Sequence, residues 1–372
     1  MKPRQLFPLG KAYGMAFCNR TEQAQKLMGN IENGKHTFLV APRRYGKSSL
    51  CEKVFEKIEM PFSKLDFHMA VTEKEVERII IQGINELITK SINSIEKLTN
   101  SLKKYTKKLK PKFSIGNDHF RLELEIENDS NPAENIAEAV LLLEKLLREK
   151  NKQAVLLLDE FQEIGLLEKG RGIEGAIRHA AQETSQLAII FSGSNPHLLK
   201  NMFEDERRPL YKLCRKLTLN RIDESHYKKH LNKASKDMWH EVLNDNVFEK
   251  IMELTERHPY YVNYLCDTVW SDCTTLPKLN DINKAWDTVV EEERSDLLKD
   301  FFSLSENQRK VIIYIANYGG KNIYSLDAAK KMDNASSSVS RALSVLIEKD
   351  FVEKVGDAYR LIVPVYKNIL AK

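Results

Sequence analysis

The sequence predicts an α/β fold around a parallel sheet, and three stretches carry that expectation: the apolar run Thr37 to Val40, AVLLLDEFQEI at 154–164, and LAIIFSGSN at 187–195. The chain between them has helical periodicity. Apolar strands that alternate with helices imply a parallel sheet covered on both faces, and ligands of such sheets gather at the carboxyl ends of the strands. At 372 residues the chain is too long for one compact core, so two or three domains are expected.

Each element follows from a local pattern. Ser48 to Ile58 reads as the helix after the first strand and its loop, and SKLDFH at 63–68 as a second short strand. Val76, Ile79, Ile80, Ile84 and Leu87 then recur at helical spacing. From Ser94 to Lys112 seven lysines stand against one glutamate, Glu96, the pattern of a solvated helix face or of a basic binding helix. Phe120, Leu122, Leu124 and Ile126 alternate with charged residues behind the turn formers Gly116-Asn117-Asp118, which predicts a β-hairpin; with the basic helix it makes an inserted arm at about 94–130. After Pro132, the residues Ile136, Val140, Leu143 and Leu147 restore the helical period.

From about Asn220 to Asp300 strands disappear, and charged helical segments predict a lid. Ser305 and Gln308 form a capping box for a helix through Asn317, Ser325 caps a second, and Ser336 to Lys349 makes a third. FVEKV and AYRLIV then flank a Gly356-Asp357 turn. The expected organisation is a core at 1–219, a helical lid at 220–300 and a winged helix-turn-helix at 301–372.

Lys plus Arg 58 against Asp plus Glu 53 gives a net charge of +5, which permits a nucleic-acid partner without requiring one. The five cysteines form no CxxC pair, so free thiols in a reducing compartment are expected and a zinc site is not. No apolar run approaches the roughly 20 residues that span a bilayer, and MKPRQLFPLG lacks the core of a signal peptide. A soluble, cytoplasmic protein with no membrane partner is expected.

The loop Ala41-Pro42-Arg43-Arg44-Tyr45-Gly46-Lys47-Ser48-Ser49 ends in the Gly-Lys-Ser of a phosphate-binding loop. In such a loop backbone N–H groups wrap the β- and γ-phosphates, the lysine neutralises their charge, the hydroxyl reaches Mg²⁺, and the helix start adds partial positive charge. The pattern asks for glycine where Ala41 stands, so the loop entry is expected to keep an ordinary backbone. Asp159 and Glu160 close the second apolar run. Asp159 is suited to orient the Mg²⁺ water shell and Glu160 to polarise an attacking water. Together the two motifs predict binding of ATP or GTP, on strands that can be adjacent in one sheet.

Ser194 or Asn195, after the next strand, can reach between the γ-phosphate and the water, although Asn195-Pro196 also suits a helix start. Arg207 and Arg208, in RRPLY, can serve the γ-phosphate of a neighbouring subunit or pair with Glu204, Asp205 or Glu206. Arg257-His258-Pro259-Tyr260-Tyr261 opens a lid helix, where it can set a cation or backbone against the nucleotide or only pack the lid.

The ordered strings APRRYGKSSL, LLLDEFQEI, FSGSN, RRPLY and RHPYYVNYLC resemble the archaeal-type ATPases of the AAA+/STAND group of P-loop proteins, similar in plan to Orc-type replication initiators. The resemblance covers nearly the whole chain and implies a P-loop NTPase core. Phe17-Cys18-Asn19-Arg20-Thr21-Glu22 is similar to the family's arginine-glutamate box, which implies adenine contact near Phe17 and Arg20. The resemblance further implies phosphate and Mg²⁺ at Lys47 and Ser48, hydrolysis by Asp159 and Glu160, and a first sensor at Ser194. Arg43 and Arg44 match the paired arginines of the family loop. The chain departs from the family at Ala41, at Arg257 where glycine is usual, and at Lys212-Leu213 where Gly-Arg is usual. The trans-acting arginine is thus open among Arg207, Arg208 and Arg215.

The resulting expectation is an ATPase, using ATP and Mg²⁺, whose nucleotide state repositions the terminal domain on DNA; a trans-acting arginine would make it a homo-oligomer. Residues 306–372 carry eleven Lys plus Arg against seven Asp plus Glu. The candidate recognition helix places Ser336, Ser337, Ser338, Ser340 and Arg341 at its N-terminal end, where groove contact is made. The alternative is a slow-turnover regulatory module that holds a protein partner through the 94–130 arm. A GTPase is a third reading, for which nothing resembles a guanine-reading motif.

Overall fold

The computed structural model describes residues 3–91, 110–115, 120–125 and 131–371. The chain divides into two units, Thr21–Ala41 with Leu50–Leu219, and Met1–Arg20 with Pro42–Ser49 and Asn220–Lys372. The N-terminal segment and the loop Pro42–Ser49, expected inside a 1–219 core, therefore group with the C-terminal half.

The sheet unit contains β1 (Thr37–Val40), β2 (Phe62–Asp66), β3 (Lys110–Ile115), β4 (Phe120–Glu125), β5 (Ala154–Asp159), β6 (Leu187–Gly193) and β7 (Arg215–Thr218). Five of these form a parallel sheet in the order β2-β5-β6-β1-β7. The two motif strands, which can be adjacent on the sequence reading, share the sheet but are separated by β6. All three of these strands are covered along their whole length, as the interior of such a sheet requires. Phe38 of β1 and Leu158 of β5 both pair with Phe191, so Val40, Asp159 and Gly193 emerge along one edge of the sheet.

Two further differences from the sequence reading have local causes. β5 stops at Asp159, the first of the two acids expected to end it, because Glu160 turns left-handed (φ 52°) and Phe161–Leu166 winds into a 3₁₀ turn. β7 escaped notice because Leu217 is its one buried residue, as befits an edge strand. β3 and β4 do pair antiparallel, from Lys110 with Glu125 to Ile115 with Phe120. Their turn at Gly116-Asn117-Asp118 and the basic residues 94–109 lie outside the described residues.

Helices Glu73–Ser91, Pro132–Lys150 and Gly170–Gln182 pack on one another and bury Ile80, Ile84, Leu143 and Ile177 in the core that includes Leu156 and Phe191. The second begins on Asn131, whose side chain accepts from Ala133 N, with Pro132 in the first turn. Its buried Glu144 binds the start of β6, accepting from Ser185 N at 2.9 Å and Leu187 N at 3.0 Å, and from Arg148 Nε at 2.6 Å. Burial works against that charge, but these donors prevail and hold the carboxyl below its ordinary value. No helix among the described residues is long and apolar enough to cross a membrane.

The second unit has one continuous core that includes Trp270, Trp286, Phe301, Val311, Leu343 and Leu361. It runs from the helices Glu224–Trp239, Asp245–Thr255, Pro259–Asp272 and Leu279–Phe302 through Glu306–Tyr318, Leu326–Met332 and Ser336–Glu348. The hairpin of β8 (Val352–Val355) and β9 (Ala358–Leu361) follows, and then a short helix Tyr366–Leu370. Phe7 of the N-terminal segment is buried edge-on to Trp270 at 4.9 Å. The capping box is present: Ser305 N donates to Gln308 Oε1 at 3.0 Å and Gln308 N to Ser305 Oγ at 3.5 Å. Gly320 bridges to Tyr359 so closely that a Cβ would lie 1.9 Å from the Tyr359 carbonyl oxygen.

His36, just before β1, supplies a test of the sheet unit. Its Nδ1 accepts from Ile189 N at 3.1 Å and its Nε2 donates to Ala181 O at 2.9 Å, so the ring is neutral in the fold. Burial lowers its pKa below the ordinary 6.5. The unfolded chain then binds the extra proton first, so stability is unaffected above pH 6.5 and falls as pH drops below it. Urea unfolding of the parent and His36→Gln should show the parent's advantage shrinking below that pH by at most about 1.4 kcal/mol per pH unit. An advantage that stays constant down to pH 5 would refute the neutral assignment.

Candidate nucleotide site

The chain leaves β1 at Val40 and passes through buried Ala41 into the loop Pro42–Gly46, which delivers it to the helix Lys47–Phe55. Ala41 keeps an ordinary φ, as its Cβ requires. The left-handed positions are Arg44 (φ 63°) and Gly46 (φ 86°). Lys47 folds over its own loop, its Nζ donating to Pro42 O at 3.2 Å. Ser48 is half-buried in the first turn. Ser49, expected at the phosphates, is buried and its Oγ accepts from Ala12 N at 3.0 Å, which ties the N-terminal segment to the loop.

Between the two left-handed residues the Tyr45 side chain points inward and is fully buried. Its hydroxyl accepts from Arg221 Nε at 3.1 Å and donates to Glu353 Oε1 at 3.2 Å. Arg221 also donates to Glu256 O at 2.8 Å and to the carbonyls of Leu361 and Ile362, each at 3.0 Å. Burial opposes the Arg221 charge, but Tyr45, Glu353 and Glu256 more than restore it. Arg360 pairs with the same Glu353 carboxylate at 2.8 Å.

The loop's other expected ligands also have structural partners. Arg20 Nη2 donates to Tyr45 O at 3.2 Å, holding the loop backbone. His258 lies edge-on to the Tyr45 ring at 4.8 Å, while Pro259 opens the helix Pro259–Asp272. Burial, then Arg221 and Arg44, keep the His258 pKa well below its ordinary value, so it presents no cation. Of the paired arginines, Arg44 lies over the Tyr260 ring at 4.0 Å and 3.7 Å from Glu293. Arg43 is exposed. Asp350, just after the helix Ser336–Glu348, was not anticipated: burial pushes its carboxyl up to about 7, against the opposing charges of Arg43 and Lys47.

In the sheet unit, Asp159 accepts from Ser192 Oγ and from Glu160 N, and its Oδ2 lies 3.4 Å from Lys64 Nζ. Glu160 Oε2 accepts from Ser194 Oγ at 2.7 Å, Ser194 N at 3.1 Å and Gln162 Nε2 at 2.7 Å. The fold thus brings Glu160 and Ser194 together. Asn195 takes the other role open to it, accepting from Leu198 N at 2.9 Å as a helix cap. Lys64, Ser192 and Gln162 were missed, because their only sequence signal is a position near the strand ends, which many polar residues share.

Arg208, a candidate for reaching a neighbouring subunit, faces inward. Its guanidinium bonds Glu174, with side-chain exposures of 14% and 0%. Burial raises the Glu174 carboxyl to about 7, with Arg208 and Arg171 pulling the other way. Arg207 is the exposed member of the pair, 85% accessible and 2.9 Å from Asp205, and Arg215, the third candidate, is exposed at the start of β7.

Residues 10–174 match the family model described as Predicted AAA-ATPase. The fold is that of a P-loop NTPase. A Walker-type ATPase of Pyrococcus abyssi superposes with a TM-score of 0.69 at 18% identity, over 99% of this chain and 100% of that one. The ORC2 protein of Aeropyrum pernix gives 0.57 at 12% identity, over 99% and 98%. Among curated proteins none matches the sequence. In this fold the loop after β1 stands at the position of a P-loop.

The Arg208–Glu174 pair makes a direct prediction. Arg208→Ala leaves a buried carboxylate without its partner and should cost about 3–5 kcal/mol in urea unfolding, whereas Arg207→Ala should change stability by less than about 0.5 kcal/mol. Equal costs for the two variants would contradict the inward placement.

Proposed function

We propose that this protein is an ATP-driven switch in which the P-loop binds ATP, Glu160 activates the hydrolytic water, and the nucleotide state repositions a C-terminal winged helix on DNA. The attachment of Tyr45 carries this reading: one phenol hydroxyl bonds the P-loop to Arg221 and to Glu353 of the terminal hairpin. A loop that changes shape with nucleotide changes its grip on β8. Asp350 acts in the same sense, since an arriving triphosphate competes with its carboxyl for Arg43 and Lys47.

The phosphates are assigned to Lys47 and to the backbone from Arg43 to Ser48. Mg²⁺ is assigned to Ser48 and Asp159, oxygen donors that suit a hard cation. The approach of the Lys64 ammonium to Asp159 supports that choice, because it marks a carboxylate that draws positive charge. When bound, the metal neutralises phosphate charge. Glu160, held by Ser194, accepts a proton from the attacking water. The ORC2 neighbour is described as in ADPNP–ADP complexes, which supports an adenine nucleotide over a guanine one. Arg20, His258 and Pro259 enter this reading as supports of the loop, and Arg207 and Arg215, both exposed, are the arginines available to a second subunit.

On the terminal unit Ser336, Ser337, Ser340 and Arg341 are exposed on one helix, beside a hairpin that carries exposed Lys354. That face suits phosphate contact. The second reading, a slow-turnover module holding a protein partner, is favoured by Leu326 at 83% exposure and Tyr318 at 57% on the same unit.

Lys47→Ala should abolish ATP binding measured by equilibrium titration. Glu160→Gln should bind ATP and hydrolyse it at least about 100-fold more slowly, and parental turnover in that variant would overturn the catalytic assignment. For the switch, duplex DNA binding should weaken with salt, and Arg341→Ala should lower the slope of log affinity against log salt by about one. Tyr45→Phe should keep ATP binding but lose the effect of ATP on DNA affinity. Salt-independent DNA binding, or an unaltered ATP response in Tyr45→Phe, counts against the switch.

A further inference from the structure

We propose that Gln162 is a positioning residue for the Glu160 carboxylate, a role that rests on the assignment of Glu160 above. The residue follows Asp159-Glu160 by two positions and belongs to the 3₁₀ turn Phe161–Leu166, whose Phe161 and Ile164 are fully buried. Phe161 is clamped by Phe191 at 4.7 Å and by Phe203 at 6.1 Å, so the turn is a fixed platform.

From that platform the Gln162 side chain, 3% exposed, donates from one nitrogen to two carboxylates, Glu160 Oε2 at 2.7 Å and Glu163 Oε1 at 3.1 Å. Both amide hydrogens are thereby used, and a flipped amide would set its oxygen against two carboxylate oxygens. The network therefore fixes the orientation. The price is a buried Oε1 with no hydrogen-bond partner among the described residues. An orphaned buried oxygen calls for an explanation, and the two carboxylates held by the same amide supply it.

Gly193 closes the arrangement from the other side. A Cβ there would stand 1.9 Å from Gln162 Oε1, whereas the next closest neighbour besides that amide, Leu199 Cδ1, would be at an ordinary 3.8 Å. The absence of a side chain at the end of β6 is what lets the amide reach Glu160. Ser194, the next residue, bonds the same Oε2 through its hydroxyl and its N–H. Glu160 is thus held by the 3₁₀ turn on one side and by the β6 terminus on the other, and the hydrolytic carboxylate cannot rotate without breaking both.

Steady-state ATP hydrolysis by Gln162→Ala, Gly193→Ala and the double variant tests this, with nucleotide affinity and thermal unfolding measured alongside. Gln162→Ala should lower kcat about tenfold or more and leave KM and ATP affinity within twofold. Gly193→Ala should lower kcat similarly, because its methyl displaces the amide. The double variant should lose no more than Gln162→Ala alone, since the added methyl then meets nothing. Parental kcat in Gln162→Ala, or fully multiplicative losses in the double variant, would overturn the proposal. Glu160→Gln in the same assay separates the two readings: if it is inactive while Gln162→Ala is unaffected, only the positioning role fails, and if it is fully active the catalytic assignment fails first. A Gln162→Ala protein that has lost its cooperative unfolding is replaced by Gln162→Met, which keeps the volume without the amide and should show the same kcat loss.

Discussion

One buried hydroxyl sets the shape of the P-loop. Tyr45 lies between a guanidinium withdrawn from water and a half-buried carboxylate, and its phenol bonds to each of them. A buried Arg221 without Glu353, Glu256 and the phenol would be a lone charge in a medium that solvates it poorly, so the three groups are tolerable only together. Because the same guanidinium also holds the carbonyls of Leu361 and Ile362, the loop and the terminal hairpin belong to one polar network. The left-handed turns at Arg44 and Gly46 follow from this constraint, since they let the intervening residue point inward while its neighbours stay at the surface.

The paired arginines illustrate how much a motif leaves unsaid. By charge alone Arg43 and Arg44 are equivalent phosphate ligands. In the fold Arg44 is engaged by the Tyr260 face and Glu293, while Arg43 shares the field of Asp350 with Lys47. RRPLY divides in the same way, with Arg208 turned to a buried glutamate and Arg207 to solvent. Adjacent like residues diverge because consecutive side chains leave the backbone in different directions, and only the surroundings decide which direction is buried.

What the sequence disclosed were features written in consecutive residues. The Gly-Lys-Ser loop, the acids after β5, the Ser305 capping box, the Asn195-Pro196 helix start and the terminal hairpin are all local patterns with local physics. What stayed hidden depends on pairing at a distance. The insertion of β6 between β1 and β5, the edge strand β7, the Asp350 approach and the Gln162 amide are set by register and packing, which leave no periodic trace. The left-handed Glu160 belongs to the same class: the two acids mark where the strand ends, but nothing in Leu158-Asp159-Glu160-Phe161 announces a positive φ there.

That backbone conformation has an evolutionary consequence. A left-handed glutamate is less stable than a left-handed glycine by about 1 kcal/mol, so the chain carries local strain at the residue assigned to chemistry. Glycine at this position would relax the backbone and delete the carboxylate in a single step. The same step would leave Ser194 and Gln162 without the acceptor they share, at about 1–3 kcal/mol for each buried donor, so selection for thermal endurance alone would keep the strained glutamate, and its conformation would persist in a heat-hardened lineage of this chain.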